Sequence, residues 1–93
     1  MAEIYIGLMS GTSADSVDCA VLDLSSEEIK VLSCKNFEIP KGLKADIIQA
    51  SQSERIEQEL VNSLNFRMAE VLVDSVKKII TDSNIGVEDI KAI

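Results

Sequence analysis

Ile6-Gly7-Leu8-Met9-Ser10-Gly11-Thr12-Ser13-Ala14-Asp15-Ser16-Val17-Asp18 carries an apolar strand into a tight loop of small, hydroxylated and acidic residues and out into a second strand. Gly11 lets the backbone turn and approach a ligand closely. Thr12 and Ser13 offer hydroxyl donors beside consecutive backbone N–H groups, and Asp15 and Asp18 can hold a hydrated metal. The pattern suits a phosphate group. On composition alone the plainer reading is an ordinary hairpin turn built from turn-forming residues.

Outward from this loop the chain reads as a three-stranded meander. Ile4 to Met9 is a nearly continuous apolar run, as expected of a strand covered on both faces, and Val17 to Leu24 reads similarly. The stretch from Ile29 to Ile39 alternates, which predicts Ile29, Val31, Phe37 and Ile39 on one face and Lys30, Asn36 and Glu38 on the other, nearer a sheet edge. Ser25 to Glu28 is a short polar connection and Pro40 closes the third strand, so an antiparallel arrangement is the simplest. Cys19 and Cys34 read as core thiols in a reducing compartment, Asp23 as a strand-end residue, and Met9 and Met68 as core filler.

Beyond Gly42, the positions Leu43, Ile47 and Ile48 fit a short helix that fades in the polar stretch from Gln49 to Ser53. Ser51 and Glu54 have capping-box spacing, which predicts that a longer helix begins there. From Ile56, the residues Leu60, Leu64, Met68, Val71, Leu72, Val76 and Ile79 recur at three- and four-residue intervals and mark one apolar face. The helix is expected to end near Asp82 to Asn84, with Asn84 or Gly86 in the left-handed conformation. Val87 to Ile93 reads as a further strand. No polar turn follows Ile93, so the β-β-β-α-β order is expected to open a larger α/β protein.

Composition narrows the function classes. At 93 residues and 46% hydrophobic, the chain makes one small domain or part of one, burying roughly 60–65% of its unfolded surface. A formal net charge of −7 without any basic patch disfavours nucleic acid as a partner. It does not disfavour a nucleotide, since one phosphate group can be held by backbone dipoles and a divalent cation. The chain has no histidine and no GxxxxGK[ST] pattern, which removes a serine-hydrolase triad, a zinc site of ordinary spacing and a P-loop. The N-terminus lacks the basic flank and long apolar region of a signal peptide, and no later run is long enough to span a bilayer. A cytoplasmic protein with no membrane partner is expected.

Three antiparallel strands, a helix and a fourth strand, with a phosphate-type loop in the first hairpin, resemble the opening of the ribonuclease H-like (actin-like ATPase) fold of sugar kinases, actin and heat-shock chaperones. The string Ile6-Gly7-Leu8-Met9-Ser10-Gly11-Thr12-Ser13, followed by Asp15, Asp18 and Val21-Leu22-Asp23, is more specific. It closely resembles the N-terminus of the anhydro-N-acetylmuramic acid kinase family, whose loop usually reads Gly-Thr-Ser-Leu-Asp-Gly-x-Asp. The likeness extends through Asn65 to Val76 and to Asp89-Ile90-Lys91-Ala92-Ile93, after which the family continues into a Gly-x-His-Gly-Gln motif that this sequence does not contain. Ala14 stands where the family usually has leucine and Ser16 where it usually has glycine. If that glycine takes a positive φ, serine costs on the order of 1 kcal/mol there.

The resemblance implies that residues 1–93 are the N-terminal part of the first nucleotide-binding lobe of a bacterial kinase. That kinase uses ATP and Mg2+ to convert 1,6-anhydro-N-acetylmuramic acid into N-acetylmuramic acid 6-phosphate in cell-wall recycling. It further implies ATP binding by Gly11, Thr12, Ser13, Ala14, Asp15, Ser16, Val17 and Asp18, with Asp15 or Asp18 near the metal through water. The family's catalytic base lies beyond residue 93, and the parent is expected as a homodimer. The 93-residue chain alone is expected to be inactive and to associate through exposed apolar surface. Two other readings stand beside this one: another sugar kinase of the superfamily, and a non-catalytic interaction module of the same fold.

Overall fold

A computed structural model describes residues 3–11, 15–55 and 57–93. The strands β1 (Ile4–Ser10), β2 (Ser16–Asp23) and β3 (Lys30–Glu38) run as an antiparallel meander. Two helices follow, α1 (Lys41–Ser51) and α2 (Gln58–Ser83), then a single 3-10 turn (Val87–Asp89) and β4 (Ile90–Ala92). β4 pairs parallel to β1, so the sheet order is β3-β2-β1-β4 and β3 lies at an edge, as its alternation predicts. This is an α/β fold with a mixed sheet, in keeping with the opening portion of a ribonuclease H-like ATPase.

The core forms where apolar side chains one face apart meet the helices. Ile4 and Ile6 of β1 and Val17, Cys19 and Val21 of β2 alternate inward along paired strands, and all five are buried. Ile79 of α2 is fully buried against four of them, with Val76, Ile80, Ile85 and Ile90 around it. Towards the loop end of the sheet, Val17 packs with Ile39 and Leu43, and Leu64, Met68, Val71 and Leu72 of α2 close over them. The helical periodicity is therefore real, and the face it marks is the one that meets the sheet. Ser75, in the middle of that face, is buried because its hydroxyl donates to the Val71 carbonyl at 2.8 Å.

Several boundaries and faces differ from the sequence expectation. Ser51 does not cap the longer helix; it is the last residue of α1, and its hydroxyl donates back to the Ile48 carbonyl at 2.7 Å. α2 begins at Gln58 after Glu57, without a side-chain cap, and Ile56 lies outside the described residues. At its other end Asn84 takes φ 54° and ψ 46°, the left-handed cap, while Gly86 is extended. Val87 does not start the last strand, because residues Val87–Asp89 turn as a 3-10 helix whose Asp89 N–H donates to the Gly86 carbonyl at 3.0 Å.

The alternation in β3 is broken by one residue. Val21 faces Ser33 but Leu22 faces Val31, which leaves Leu32 as an extra residue in the ladder. Because side chains repeat every two residues, the slip puts Ile29 and Val31 on the face opposite to Phe37, and they are 69% and 63% exposed. That opposite face also carries Tyr5, Met9, Ala20, Leu22 and Cys34. Among the described residues the helices cover only one side of the sheet, so β1 is not covered on both faces. Met9 is 70% exposed rather than core filler. Cys34 is likewise an exposed free thiol, whereas Cys19 is a buried one whose pKa is raised, chiefly by burial and then by the neighbouring Cys34.

Candidate functional site

The loop after Ser10 joins β1 to β2 at the end of the sheet where α1 starts. Ser10 and Val17 are its last paired residues, and the Asp15 carbonyl accepts from the Ile39 N–H at 3.0 Å, which fixes the exit of the loop to the chain entering α1. Thr12, Ser13 and Ala14 lie outside the described residues. Gly11 is exposed, has no positive φ, and a Cβ there would meet no described atom within 4 Å. Its lack of a side chain is thus not needed for turning the backbone; it leaves open space beside the loop.

Ser16 is the first residue of β2 and adopts extended backbone, not a left-handed one. The strain that a positive φ would bring to a serine here is absent. Val17 is fully buried in the core, so its side chain is packed among Ile39 and Leu43 and only its backbone faces the loop. Asp15 and Asp18 are held by different partners. Asp15 pairs with the ammonium of Lys44 on α1, and Asp18 accepts from the amide of Asn36 on β3 at 2.7 Å. The same Asn36 nitrogen donates to the Ser16 hydroxyl at 2.8 Å.

Asp15, Ser16, Asn36, Glu38, Ile39, Lys41 and Lys44 line one cleft of about 300 Å3. Its charge is balanced between two lysines and two carboxylates. The placement of Lys44 follows from the helix it sits on: α1 starts after Pro40 with no side-chain cap and no acidic residue in its first turn. A lysine near a positive helix end lacks the favourable partner it would find at a C-terminus, and Asp15 supplies it across the cleft. A second ion pair, Arg67 to Asp46 at 2.6 Å, ties α1 to α2. Loop, α1 and α2 are thereby linked in sequence.

Asn36, Lys41 and Lys44 escaped the sequence reading. Nothing in their local pattern distinguishes them from solvated strand and helix positions, because what brings them to the loop is the β2–β3 register and the entry angle of α1. For a magnesium ion the residues offer hard oxygen donors, the carboxylates of Asp15 and Asp18 and the hydroxyl of Ser16, which suits a cation that keeps most of its waters. Among the described residues no group of three or more metal-ligating side chains gathers, so such an ion would rest mainly on ligand phosphates and water. No helix among the described residues is long and apolar enough to cross a membrane.

Comparison with known families gives this hairpin its context. A sequence model described as anhydro-N-acetylmuramic acid kinase matches residues 3–93. The chain belongs to the anhydro-N-acetylmuramic acid kinase family. Curated members of the family include proteins of Vibrio vulnificus (strain CMCP6), 26% identical over 91 residues, and Sulfurimonas denitrificans, 29% identical over 93 residues. A third, from Actinobacillus pleuropneumoniae serotype 7, is 28% identical over 90 residues. These alignments cover 98%, 100% and 97% of this chain and 25%, 25% and 24% of the relatives. The chain thus spans about a quarter of the length of the anhydro-N-acetylmuramic acid kinases it matches, and the β1–β2 hairpin falls within the matched region.

Proposed function

We propose that this chain supplies the ATP phosphate loop of a kinase that opens the 1,6-anhydro bridge of 1,6-anhydro-N-acetylmuramic acid and phosphorylates it to N-acetylmuramic acid 6-phosphate. The observation that carries this reading is the family match over residues 3–93, within which the Ser10 to Asp18 hairpin has the residue chemistry of a phosphate cradle. Gly11, Thr12, Ser13, Ala14, Asp15, Ser16, Val17 and Asp18 are proposed to line the phosphates of ATP. Gly11 and Val17 contribute backbone, Ser16 a hydroxyl, and Asp15 or Asp18 reaches Mg2+ through water.

In such a reaction water attacks the anomeric carbon as the bridge opens, and the freed O6 takes the γ-phosphoryl group. The chemistry needs in-line placement, neutralisation of phosphate charge, and a carboxylate base for the water. When bound, Mg2+ supplies the main charge neutralisation. The residues of this chain position the phosphate tail, and the base is assigned to a part of the family's length that these residues do not span. The 93-residue chain alone is accordingly expected to give no turnover, and its uncovered sheet face to promote association.

The test is a coupled assay of ADP release by the protein at its full encoded length, with 1,6-anhydro-N-acetylmuramic acid and ATP·Mg. Turnover with this sugar and not with a panel of hexoses supports the reading. Turnover only with another hexose reassigns the substrate, and turnover with none of them removes the kinase.

A further inference from the structure

We propose, resting on the nucleotide reading above, that Asn36 is a positioning residue that orients the Ser16 hydroxyl and the Asp18 carboxylate for a nucleotide phosphate and its magnesium ion. Asn36 stands directly opposite Asp18 in the β2–β3 ladder, and Ser16 is two residues before Asp18 on the same face. One amide nitrogen therefore reaches both, at 2.7 Å to Asp18 Oδ1 and 2.8 Å to Ser16 Oγ. A planar amide carries two N–H donors and a carboxylate only accepts, so it is the nitrogen, not the oxygen, that faces Asp18.

Two consequences follow for a ligand. A hydroxyl that accepts from Asn36 is turned so that its own proton is directed elsewhere, which makes Ser16 a donor suited to a phosphate oxygen. With Oδ1 of Asp18 committed to the amide, Oδ2 is the oxygen that serves a water of the cation. Ser16 lines the cleft together with Asn36. Ser16 thus has a partner on the neighbouring strand that gives its hydroxyl a direction.

Calorimetric titration of the protein at its full encoded length with ATP·Mg tests this. Asn36→Ala is expected to raise the Kd for ATP about five- to tenfold, the scale of losing one or two oriented hydrogen bonds. Affinity for the anhydro sugar should stay as in the unmodified protein. Asn36→Asp, of the same shape but unable to donate, should weaken ATP binding at least as much. In a Ser16→Ala background the loss from Asn36→Ala should shrink, because the two act as a unit. If the unmodified protein binds ATP and both Asn36 variants bind it equally well, or if the Ser16 and Asn36 losses simply add, the positioning role is overturned while the nucleotide reading stands. If the unmodified protein does not bind ATP, the nucleotide reading fails and this inference with it.

Discussion

Lys44, one turn into α1, holds the carboxylate of Asp15 at the end of the β1–β2 loop, so the helix that follows the sheet pins the loop that precedes it. Both side chains are partly exposed, which limits the contribution of the pair to about 0.2–1 kcal/mol and makes it sensitive to salt. Lys44→Ala is expected to lower the urea midpoint slightly, with the difference from the unmodified protein shrinking at 1 M salt. A loss well above about 1 kcal/mol, unchanged by salt, would show that Lys44 acts through packing instead.

Ile79 is the side chain on which the two layers meet. It is fully buried against Ile4, Ile6, Cys19 and Val21, so Ile79→Ala should remove about 2–5 kcal/mol. For a small domain that is a large share of total stability. Phe66, on the far side of α2 and 67% exposed, serves as the contrast: Phe66→Ala should change stability by no more than about 0.5 kcal/mol. Equal losses at both positions, measured by urea denaturation, would contradict the placement of the helix.

The two thiols should separate chemically. An alkylating reagent under native conditions is expected to label Cys34 promptly and Cys19 only on unfolding, which mass spectrometry of the labelled protein reads directly. Burial raises the Cys19 pKa, so the folded state keeps its proton at a pH where the unfolded state loses it. This contribution to stability is intact below the unfolded thiol's pKa, about 8.5, and diminishes as pH rises through the folded value. Cys19→Ser should not be used to test it, since it buries a hydroxyl; Cys19→Ala removes the alkaline decline with fewer side effects.

Asp23 gives the opposite slope. Hydrogen bonds from Ser25 hold its carboxyl below the usual range, the Ser25 N–H lying 2.9 Å from Oδ1, with Glu3 contributing less. A lowered folded pKa means stability that is present above the unfolded carboxyl's pKa, about 3.9, and is lost as pH falls through the folded value. Asp23→Asn should lower stability slightly near pH 7 and flatten the acid limb of a stability–pH curve, so that the difference from the unmodified protein shrinks as pH falls. An unaltered acid limb would remove Asp23 from the account.

Asn84 ends α2 in a conformation that costs residues with a Cβ and no local polar group. Asn84→Ala is expected to lose about 1 kcal/mol and Asn84→Gly to be neutral or slightly stabilising. Thermal denaturation of the two variants distinguishes this from a general loss of helix contacts, which would weaken both.

What was legible in the sequence was whatever is written locally. The period of Leu64, Met68, Val71, Leu72, Val76 and Ile79 revealed α2 because a helix buries one face. Pro40 marked the end of the third strand, and Asn84 marked a helix end because few residues tolerate its φ. The hairpin and its family string were legible for the same reason. The bulge at Leu32 was not, since alternation in β3 reads the same whether or not its partner strand slips by one. Nor was the start of α2, where the Ser51 to Glu54 spacing fits a capping box that the chain does not form. In the candidate site, Asp15 and Asp18 could be named but not their separate partners. Asn36 and Lys44 reach the loop only through pairings 18 and 29 residues away in sequence.

The extra residue at Leu32 also bears on how this sheet meets other chains. An edge strand with a regular row of free N–H and C=O groups is a template on which another strand can add. The bulge interrupts that row in β3 and bends the strand, so a foreign segment cannot hold register along its whole length. β3 is therefore guarded against indiscriminate strand addition by a feature of its own backbone, despite the apolar side chains that the same slip turns towards water.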